Sequence, residues 1–529
     1  MPPDRKPREK SNLREPRFWL PALSGLLVLG AFPPINFIPL LFVGLVPLLH
    51  ALMTAPTRRA AWRAGYRFGM VYMLGQFLFF FILANRWTGN PIIGVIPWLA
   101  AAALAQLYFG LAALAAFRAF ALAQTRPWFA LLVPVAWAGV EVLRCQVPFI
   151  GFPWGLLATP LWRYPELLGV ARYLTVFGLS AWVVVINLTF TAFLQRDFKG
   201  VRRYALVSLG FLGASILQYR SADPPGDTVK VFCGQPGVDV AFGDPQAQDA
   251  KQGANIDLLL DEAEAHDPDL IVLPEGVARL GDADPPQPPF KLPSQAAIVF
   301  GAQRTKLGNE NLIYQSVFGF DGHTWSHSDK SRLVIFGEYL PLRPLFGPLF
   351  HLDFADMEPG RNALLPVITP RGRKIEIGPL ICFEGLFFDL AQLQARSGAQ
   401  LLAVESVDDW FMGSPAPEQL EAAAVFRSVE TNLPSVRAAS TGHTMACDNK
   451  GRVLAEVPIQ IRAGMPVSVT VPDHPQPVWW LSAFPWLSFL TWLGLALAPA
   501  AKAEQTTSVG EAAKKDARVN RRRPTQNAL

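Results

Sequence analysis

A chain of 529 residues is long enough for two or three domains. Only 17% of its residues are charged and 51% are hydrophobic, a balance that suits a chain partly embedded in lipid and partly in water rather than a wholly soluble globule. The net charge of +5 collects at the two ends and in short loops, not on a basic face with interleaved aromatics, which excludes nucleic acid as a partner.

The chain opens on a basic segment, 1–17, carrying Arg5, Lys6, Arg8, Lys10, Arg14 and Arg17. No clean small-residue cleavage site follows, so the next apolar run reads as a retained helix, not a signal peptide. A helix needs about 20 apolar residues to cross the hydrocarbon core. Runs near 18–32, 37–53, 66–85, 92–117, 127–144, 170–194 and 204–219 predict a bundle over 18–219 with about seven spans, the first two broken into a hairpin by Pro33 and Pro34. Residues 478–500 predict a last span, making about eight, and 501–529 a basic disordered tail. Alternate loops are basic: Arg58, Arg59 and Arg63; Arg118 and Arg126; Arg196, Lys199, Arg202 and Arg203; then Lys502, Lys514, Lys515, Arg518 and Arg521 to Arg523. Lys and Arg concentrate on the cytoplasmic side of membrane proteins, so both termini are expected in the cytoplasm and residues 220–475 outside. Glu141 and Arg144, at the end of a span, read either as a functional pair or as side chains reaching the interface.

Residues 220–475 read as a soluble α/β or α+β domain with a buried sheet. Runs of strand length are VKVFCG (229–234), DLIVLP (269–274), AIVFGA (297–302), LIYQSVFGF (312–320), IEIGPLI (375–381) and AQLLAVE (399–405). Helical stretches at 246–265, 384–396 and 415–431 lie between or after them, and Asp321-Gly322 and Asp448 to Gly451 are turn signals. Three residues stand out: Glu275 directly after a strand, Lys330 past a strand–turn region, and Cys382 at a strand end before an expected helix near Glu384. A helix amino terminus there would lower the thiol pKa. Together the three types suit acyl transfer, with a thiolate nucleophile, a carboxylate that takes and returns its proton, and an ammonium for the tetrahedral oxyanion. Singly, each residue type is more often structural.

The segments LIVLPEG around Glu275, DKSRLVIFGEYLPLR around Lys330 and GPLICFEGLF around Cys382 resemble the nitrilase superfamily of carbon–nitrogen hydrolases and, within it, the apolipoprotein N-acyltransferase family. DDWFMGS (408–414), RSVETNLPSVRAASTG (427–442) and DNKGRV (448–453) extend the resemblance, as do AFPPINFIPLLFVGLVPLL (31–49), IGFPWGLLATP (150–160) and VFGLSAWVVVINL (176–188). It implies an α-β-β-α sandwich joined to a multi-span helical bundle. Glu275 would then be the general base, Lys330 the oxyanion stabiliser and Cys382 the nucleophile. Glu338 would support Lys330, and Glu384 would stand near the nucleophile. The implied reaction is ping-pong: Cys382 takes an acyl chain from a phospholipid and passes it to the α-amine of a diacylglyceryl apolipoprotein. The implied setting is a bacterial inner membrane, with no metal or organic cofactor and a monomeric enzyme. The chain departs from the family pattern at Gly276, Phe383, Val407, Leu420 and Gln235-Pro-Gly, which bears on donor and acceptor specificity.

Alternatives from the residues are a membrane-tethered amidase or other acyltransferase with the same three groups, and a non-catalytic homologue that binds lipid or lipoprotein. A Cys–His pair using His327, His351 or His443, a His323–His327 metal pair, and a Cys233–Cys447 disulfide also stay open. The apolar run Pro344 to Phe350 reads as a lid or as a packed loop.

Overall fold

The computed structural model describes residues 16–147, 151–281, 286–293, 295–306, 312–341, 343–344 and 356–497. His351, residues 345–350 of the expected lid, the basic start before Pro16 and the tail from 501 lie outside these residues.

The principal helices before the sandwich are Pro16–Leu29, Pro39–Val43, Val46–Met53, Arg58–Gln76, Leu78–Thr88, Pro91–Ala123, Leu132–Gln146, Ala171–Leu194 and Phe198–Tyr219; Ala483–Leu497 follows it. Among the described residues three helical stretches are long and apolar enough to cross a bilayer: Pro91–Ala123, Pro127–Gln146 and Ala171–Leu194. Arg58–Gln76 and Leu78–Thr88, bent by 45° at their junction, make a fourth if they act as one span. The expectation of about eight is therefore not met by length and composition. The runs 18–32, 37–53 and 478–500 form the shorter helices Phe18–Leu29, Pro39–Met53 and Ala483–Leu497. Apolar composition continues through turns such as Pro33-Pro34, where helical hydrogen bonding cannot. The run 204–219 is the later part of Phe198–Tyr219, whose first turns carry Lys199, Arg202 and Arg203.

Glu141 and Arg144 do not reach solvent; both are buried. Glu141 accepts hydrogen bonds from Leu157 N (2.8 Å) and Trp137 Nε1 (3.3 Å), and Arg144 donates to the carbonyls of Trp154 and Gly155. They satisfy backbone groups of the non-helical segment around Trp154–Leu157, which otherwise would be stranded away from water. The last helix closes on the bundle at Gly139, where a Cβ would meet Ser488 O at 2.1 Å. Only glycine permits that approach.

Among the described residues thirteen strands form two sheets. They are β1 (Gly226–Gln235), β2 (Leu270–Val272), β3 (Ala278–Leu280), β4 (Ala297–Lys306), β5 (Leu312–Phe320), β6 (Trp325–Asp329), β7 (Leu365–Ile368), β8 (Lys374–Pro379), β9 (Leu401–Ser406), β10 (Ser435–Ala439), β11 (Thr444–Cys447), β12 (Val453–Val457) and β13 (Ala463–Pro472). One sheet has the order β13-β1-β2-β4-β5-β6, with β3 on β4; the other has the order β12-β11-β10-β9-β8-β7. The sheets face each other through Val229, Val231, Val272, Val299, Ile375, Ile377, Leu401, Ala403, Val436 and Ala438. Alternate residues of a strand point to opposite faces, so Phe232 and Ile271 turn outward onto Ile256 and Leu259 of the helix Pro245–Ala265. Leu402 and Val404 turn outward on the other side, among residues of the helices Phe388–Ser397 and Ala416–Thr431. The result is a nitrilase-like α-β-β-α sandwich.

The second helical layer is continuous with the bundle. Phe426 and Val429 share one apolar core with Leu168, Val176 and Phe177, and Phe177 meets Phe388 edge-on at 5.5 Å. Glu430 accepts from Val176 N (2.8 Å), and Gln419 bonds both Gly155 N (3.0 Å) and Gln76 Oε1 (2.8 Å).

Candidate active site

Glu275, Lys330 and Cys382 come from three separate elements and gather in one cluster. Glu275 follows β2 across Leu273 and Pro274 and is buried. Its backbone lies against β4 at Gly301, where a Cβ would stand 2.4 Å from Glu275 Cα. Gly276, the next residue, has φ +74°, a conformation that glycine takes without strain. Thr or Ser at that position would be strained.

Lys330 has no exposed surface. Its backbone is fixed on both sides: Lys330 N donates to Gln315 O and Gly360 N donates to Lys330 O, each at 2.8 Å. The ammonium lies 3.4 Å from Glu275 Oε1 and makes a short contact with Glu338 Oε1. The other Glu338 oxygen accepts from Val334 N at 2.8 Å, which closes the turn after Lys330.

Cys382 sits at the end of the β8 segment with φ +51°, a left-handed conformation that costs an L-residue energy and turns its side chain out of the strand line. A five-residue 3₁₀ turn, Cys382–Leu386, follows, and the α-helix begins only at Phe388. The expected helix near Glu384 is therefore displaced, and with it the expected lowering of the thiol pKa. Burial instead pushes the Cys382 thiol up to about 12, with the charge of Glu275 acting in the same direction. The residue still keeps part of its surface open. Ser406 Oγ lies 3.4 Å from its sulfur, and the charge of the nearby Glu275 carboxylate acts on the thiol.

The electrostatics of the cluster are reciprocal. Burial raises the Glu275 pKa despite the opposing ammonium, so its carboxyl is a better proton acceptor than an exposed glutamate. Burial alone would lower Lys330, but Glu275 and Glu338 outweigh it and hold the ammonium well above the ordinary lysine range. The arrangement therefore contains a permanent cation, a basic carboxylate and a protonated thiol.

Glu384 does not touch the reacting atoms. It is fully buried and accepts from Ser331 N (2.8 Å), Ser331 Oγ (2.7 Å), Arg332 N (3.1 Å) and Ile381 N (3.1 Å). One carboxylate thus ties the lysine loop to the cysteine turn. Five further residues at the site are given no chemical role by the sequence alone. Val407 N holds the second Glu275 oxygen at 3.1 Å. Ser406 Oγ donates to Asp408 Oδ1 at 2.7 Å, and Arg437 Nη2 grips both Asp408 oxygens at 2.7 and 2.8 Å. Glu405, on the strand face of Leu401 and Ala403, is buried with neither oxygen hydrogen-bonded, and burial pushes it up to about 8. Glu405 ends AQLLAVE, Asp408 opens DDWFMGS and Arg437 lies in RSVETNLPSVRAASTG, but only their burial on and beside β9 and β10 reveals their places.

The other sequence candidates lie elsewhere. His443 Nδ1 faces Glu421 and Glu456 rather than Cys382. His327 is exposed and stacks on Phe318, and His323 is exposed in the Asp321 turn. Neither a Cys–His pair with these residues nor a His323–His327 metal pair is favoured. All four cysteines are free, and Cys447 is instead bracketed by the Ser428 and Ser435 hydroxyls at 3.1 Å.

Comparison with known proteins gives two family matches. The model described as "Apolipoprotein N-acyltransferase N-terminal domain" matches residues 24–189, and that for "Carbon-nitrogen hydrolase" matches residues 294–462. A Sinorhizobium medicae apolipoprotein N-acyltransferase is 30% identical over 479 residues, covering 81% of this chain and 85% of its own. A Geobacter metallireducens protein of the same name is 29% identical over 466 residues, covering 84% of this chain and 87% of its own. Among solved structures, Saccharomyces cerevisiae Nit3, described as a nitrilase superfamily member, aligns with 47% of this chain and 92% of its own at 18% identity and TM-score 0.34.

Two outcomes follow from the packing. Gly301→Ala, whose new methyl has no room beside Glu275, is expected to lower kcat/KM by about 100-fold, as ångström-scale misplacement of a reacting group does; far-ultraviolet circular dichroism of the variant should stay unchanged. Glu405 has a folded pKa raised from 4.5 to about 8, so its stabilising protonated form is fully present below pH 4.5 and lost as pH rises through 8. Thermal unfolding of the detergent-solubilised chain should show wild type losing a few kcal/mol over that window, at about 1.4 kcal/mol per pKa unit, and Glu405→Gln losing clearly less.

Proposed function

Because the chain belongs to the apolipoprotein N-acyltransferase family and is an acyltransferase, we propose that Cys382 carries a fatty acyl chain as a thioester from a membrane phospholipid to the α-amine of the lipid-modified cysteine at an apolipoprotein's amino terminus. The observation that carries this reading is the gathering of Glu275, Lys330 and Cys382 in one cluster, with the ammonium 3.4 Å from the carboxylate.

In the first half-reaction Glu275 takes the thiol proton as the sulfur attacks the ester carbonyl. A thiol pushed up to about 12 is not a free thiolate at rest, so attack and proton transfer are coupled. The negative charge that grows on the carbonyl oxygen is met by the Lys330 ammonium. Collapse of the tetrahedral intermediate breaks the ester C–O bond. The proton held on Glu275 passes to the departing glycerol oxygen, leaving a lysophospholipid. In the second half-reaction the acceptor amine attacks the thioester, Glu275 takes the amine proton, and sulfur leaves and recovers a proton as the thiol. Glu338 holds Lys330 in position, and Glu384 keeps the lysine loop against the cysteine turn. All of these residues come from one copy of the chain.

The aromatic lining favours a lipid donor over a small amide. Phe383, beside the nucleophile, lies 5.6 Å from Phe152. Phe152 in turn meets Phe77, Phe79, Phe80 and Trp154. These rings link the bent helix pair to the residue beside the sulfur, an apolar wall suited to an acyl chain and to excluding the water a thioester must be kept from.

The same reading places the sandwich on the outer side of a bacterial inner membrane with both termini in the cytoplasm. One end of the bundle gathers basic loops, with Arg58 reaching Ala496 O and Arg203 reaching Pro127 O. The other end meets the sandwich through Arg86 on Asp239 and Asp409, Asn36 on Glu418 and Arg172 on Gln476. A cytoplasmic side rich in arginine fits this polarity.

Cys382→Ala is expected to abolish N-acylation of a diacylglyceryl peptide, and mass spectrometry should find an acyl adduct of Cys382 in wild type incubated with phospholipid alone. Full turnover by the variant would overturn the mechanism. Lys330→Ala should lower kcat by roughly 100- to 1000-fold, the usual effect of losing an oxyanion donor. For topology, a reporter fused after Leu529 should read cytoplasmic and one inserted near Asp223 external; the reverse would overturn the orientation.

A further inference from the structure

Away from the pocket, three side chains from three segments converge with the chemistry of a metal centre. Glu421 comes from the helix Ala416–Thr431, His443 from the turn between β10 and β11, and Glu456 from β12. One ligand atom from each lies within 4.8 Å of the other two. His443 Nδ1 is 3.2 Å from Glu456 Oε1 and 3.8 Å from Glu421 Oε2.

Those spacings are close to what a tetrahedral ion requires. With Zn–N about 2.0–2.1 Å and Zn–O about 2.0–2.2 Å, neighbouring ligand atoms stand roughly 3.3–3.5 Å apart. The third side, between Glu421 and Glu456, lies within 4.8 Å, and a shift of the Glu421 carboxylate toward His443 and Glu456 would close the triangle.

The second observation is the state of Glu421 itself. It has no exposed surface, yet neither of its carboxylate oxygens has a hydrogen-bond partner. His443 Nδ1 is likewise buried at ion-pair range from both carboxylates but without a hydrogen bond. A carboxylate enclosed in this way is costly unless something shares its charge. Two carboxylates and a neutral imidazole carry a charge of −2, which one divalent cation balances.

The surrounding charges leave room for such an ion. Arg437 lies nearby but is already neutralised by both oxygens of Asp408. Arg163 Nη1 is 3.9 Å from Glu456 Oε2 and its Nε is 3.6 Å from Glu418 Oε1, but its side chain is half exposed and its guanidinium lies over Trp162, so its charge is shared and screened by water. Glu456 is partly exposed, which gives an ion a way in and a water a place to bind. One imidazole and two carboxylates suit a borderline ion such as Zn²⁺, whereas Ca²⁺ and Mg²⁺ ask for six or more oxygen ligands.

We infer that Glu421, His443 and Glu456 bind one zinc-class divalent ion, with water completing its coordination. The ion joins the helix Ala416–Thr431 to β12 and to the β10–β11 turn. That turn is itself tied to the pocket: Arg437 donates to His443 O and holds Asp408, which receives the hydroxyl of Ser406 beside Cys382. The ion is a positioning element, remote from the reacting atoms. It stands independently of the reaction proposed for the triad.

The test uses the full chain purified in detergent and equilibrated with zinc, then desalted. Elemental analysis should find one zinc per chain in wild type. Stripping with a chelator should lower the melting temperature, and Zn²⁺ but not Mg²⁺ should restore it. Glu421→Gln and His443→Gln, made separately, should each lower zinc content by roughly tenfold or more and lose the thermal response to zinc. Failure of wild type to retain stoichiometric zinc would overturn the proposal, since a proton shared by Glu421 and Glu456 would then account for the cluster. Equal zinc content in wild type and both variants would also overturn it, as adventitious binding. Because the zinc content of wild type is decisive by itself, poor folding of either variant leaves the test intact.

Discussion

An ammonium removed from water is the constraint around which the sandwich is arranged. Lys330 has no exposed surface, and a charge so placed persists only with compensation at contact distance. Glu275 and Glu338 provide it from opposite sides of the lysine. Each carboxylate spends its other oxygen on a backbone N–H, that of Val407 or Val334, so neither can drift without stranding a second group. Glu384 adds a third tether from the cysteine turn to the residues directly after Lys330. The position of the sulfur relative to the carboxylate is thus a by-product of keeping one cation solvated by protein. Breaking a buried ion pair typically costs about 3–5 kcal/mol.

The departures from the family pattern make physical sense in this frame. Val407 serves Glu275 through its backbone N–H, which any residue offers, so its side chain is free to vary. Phe383 places a ring against Phe152 and needs no hydroxyl to do so. Leu420 is buried in the apolar core shared by the two halves, where an aliphatic side chain is at home. Gly276 occupies a left-handed conformation that a branched residue would resist.

What the sequence discloses is what depends on local order. Glu275, Lys330 and Cys382 each follow an apolar run or a turn and their chemical types suit one another, but singly each type is more often structural, and the family-like motifs around them are what pick them out. The apolar runs VKVFCG and LIYQSVFGF also mark strands, which β1 and β5 are. What stays hidden depends on partners far along the chain. β1 pairs with β13, and Glu384 works through Ser331 and Arg332. Glu405 reads as a surface residue by type and is buried only because β9 lies in the middle of its sheet. His443 is open as a partner for Cys382 in the sequence because spatial adjacency has no signature in spacing. Span counting fails for a simpler reason: apolar composition tells where lipid is tolerated, while helix length is set by prolines and turns that hydropathy averages over.

The helix Ala416–Thr431 gives one flank to β-strands and the other to the bundle, so neither half of the chain has a closed surface of its own. A sandwich not yet seated on the bundle carries an oily side with nothing against it. Covering that side requires the sandwich to dock onto the bundle helices. Quality control of the two halves is thereby merged, because a bundle that assembles wrongly offers no seat and leaves that side open to proteases.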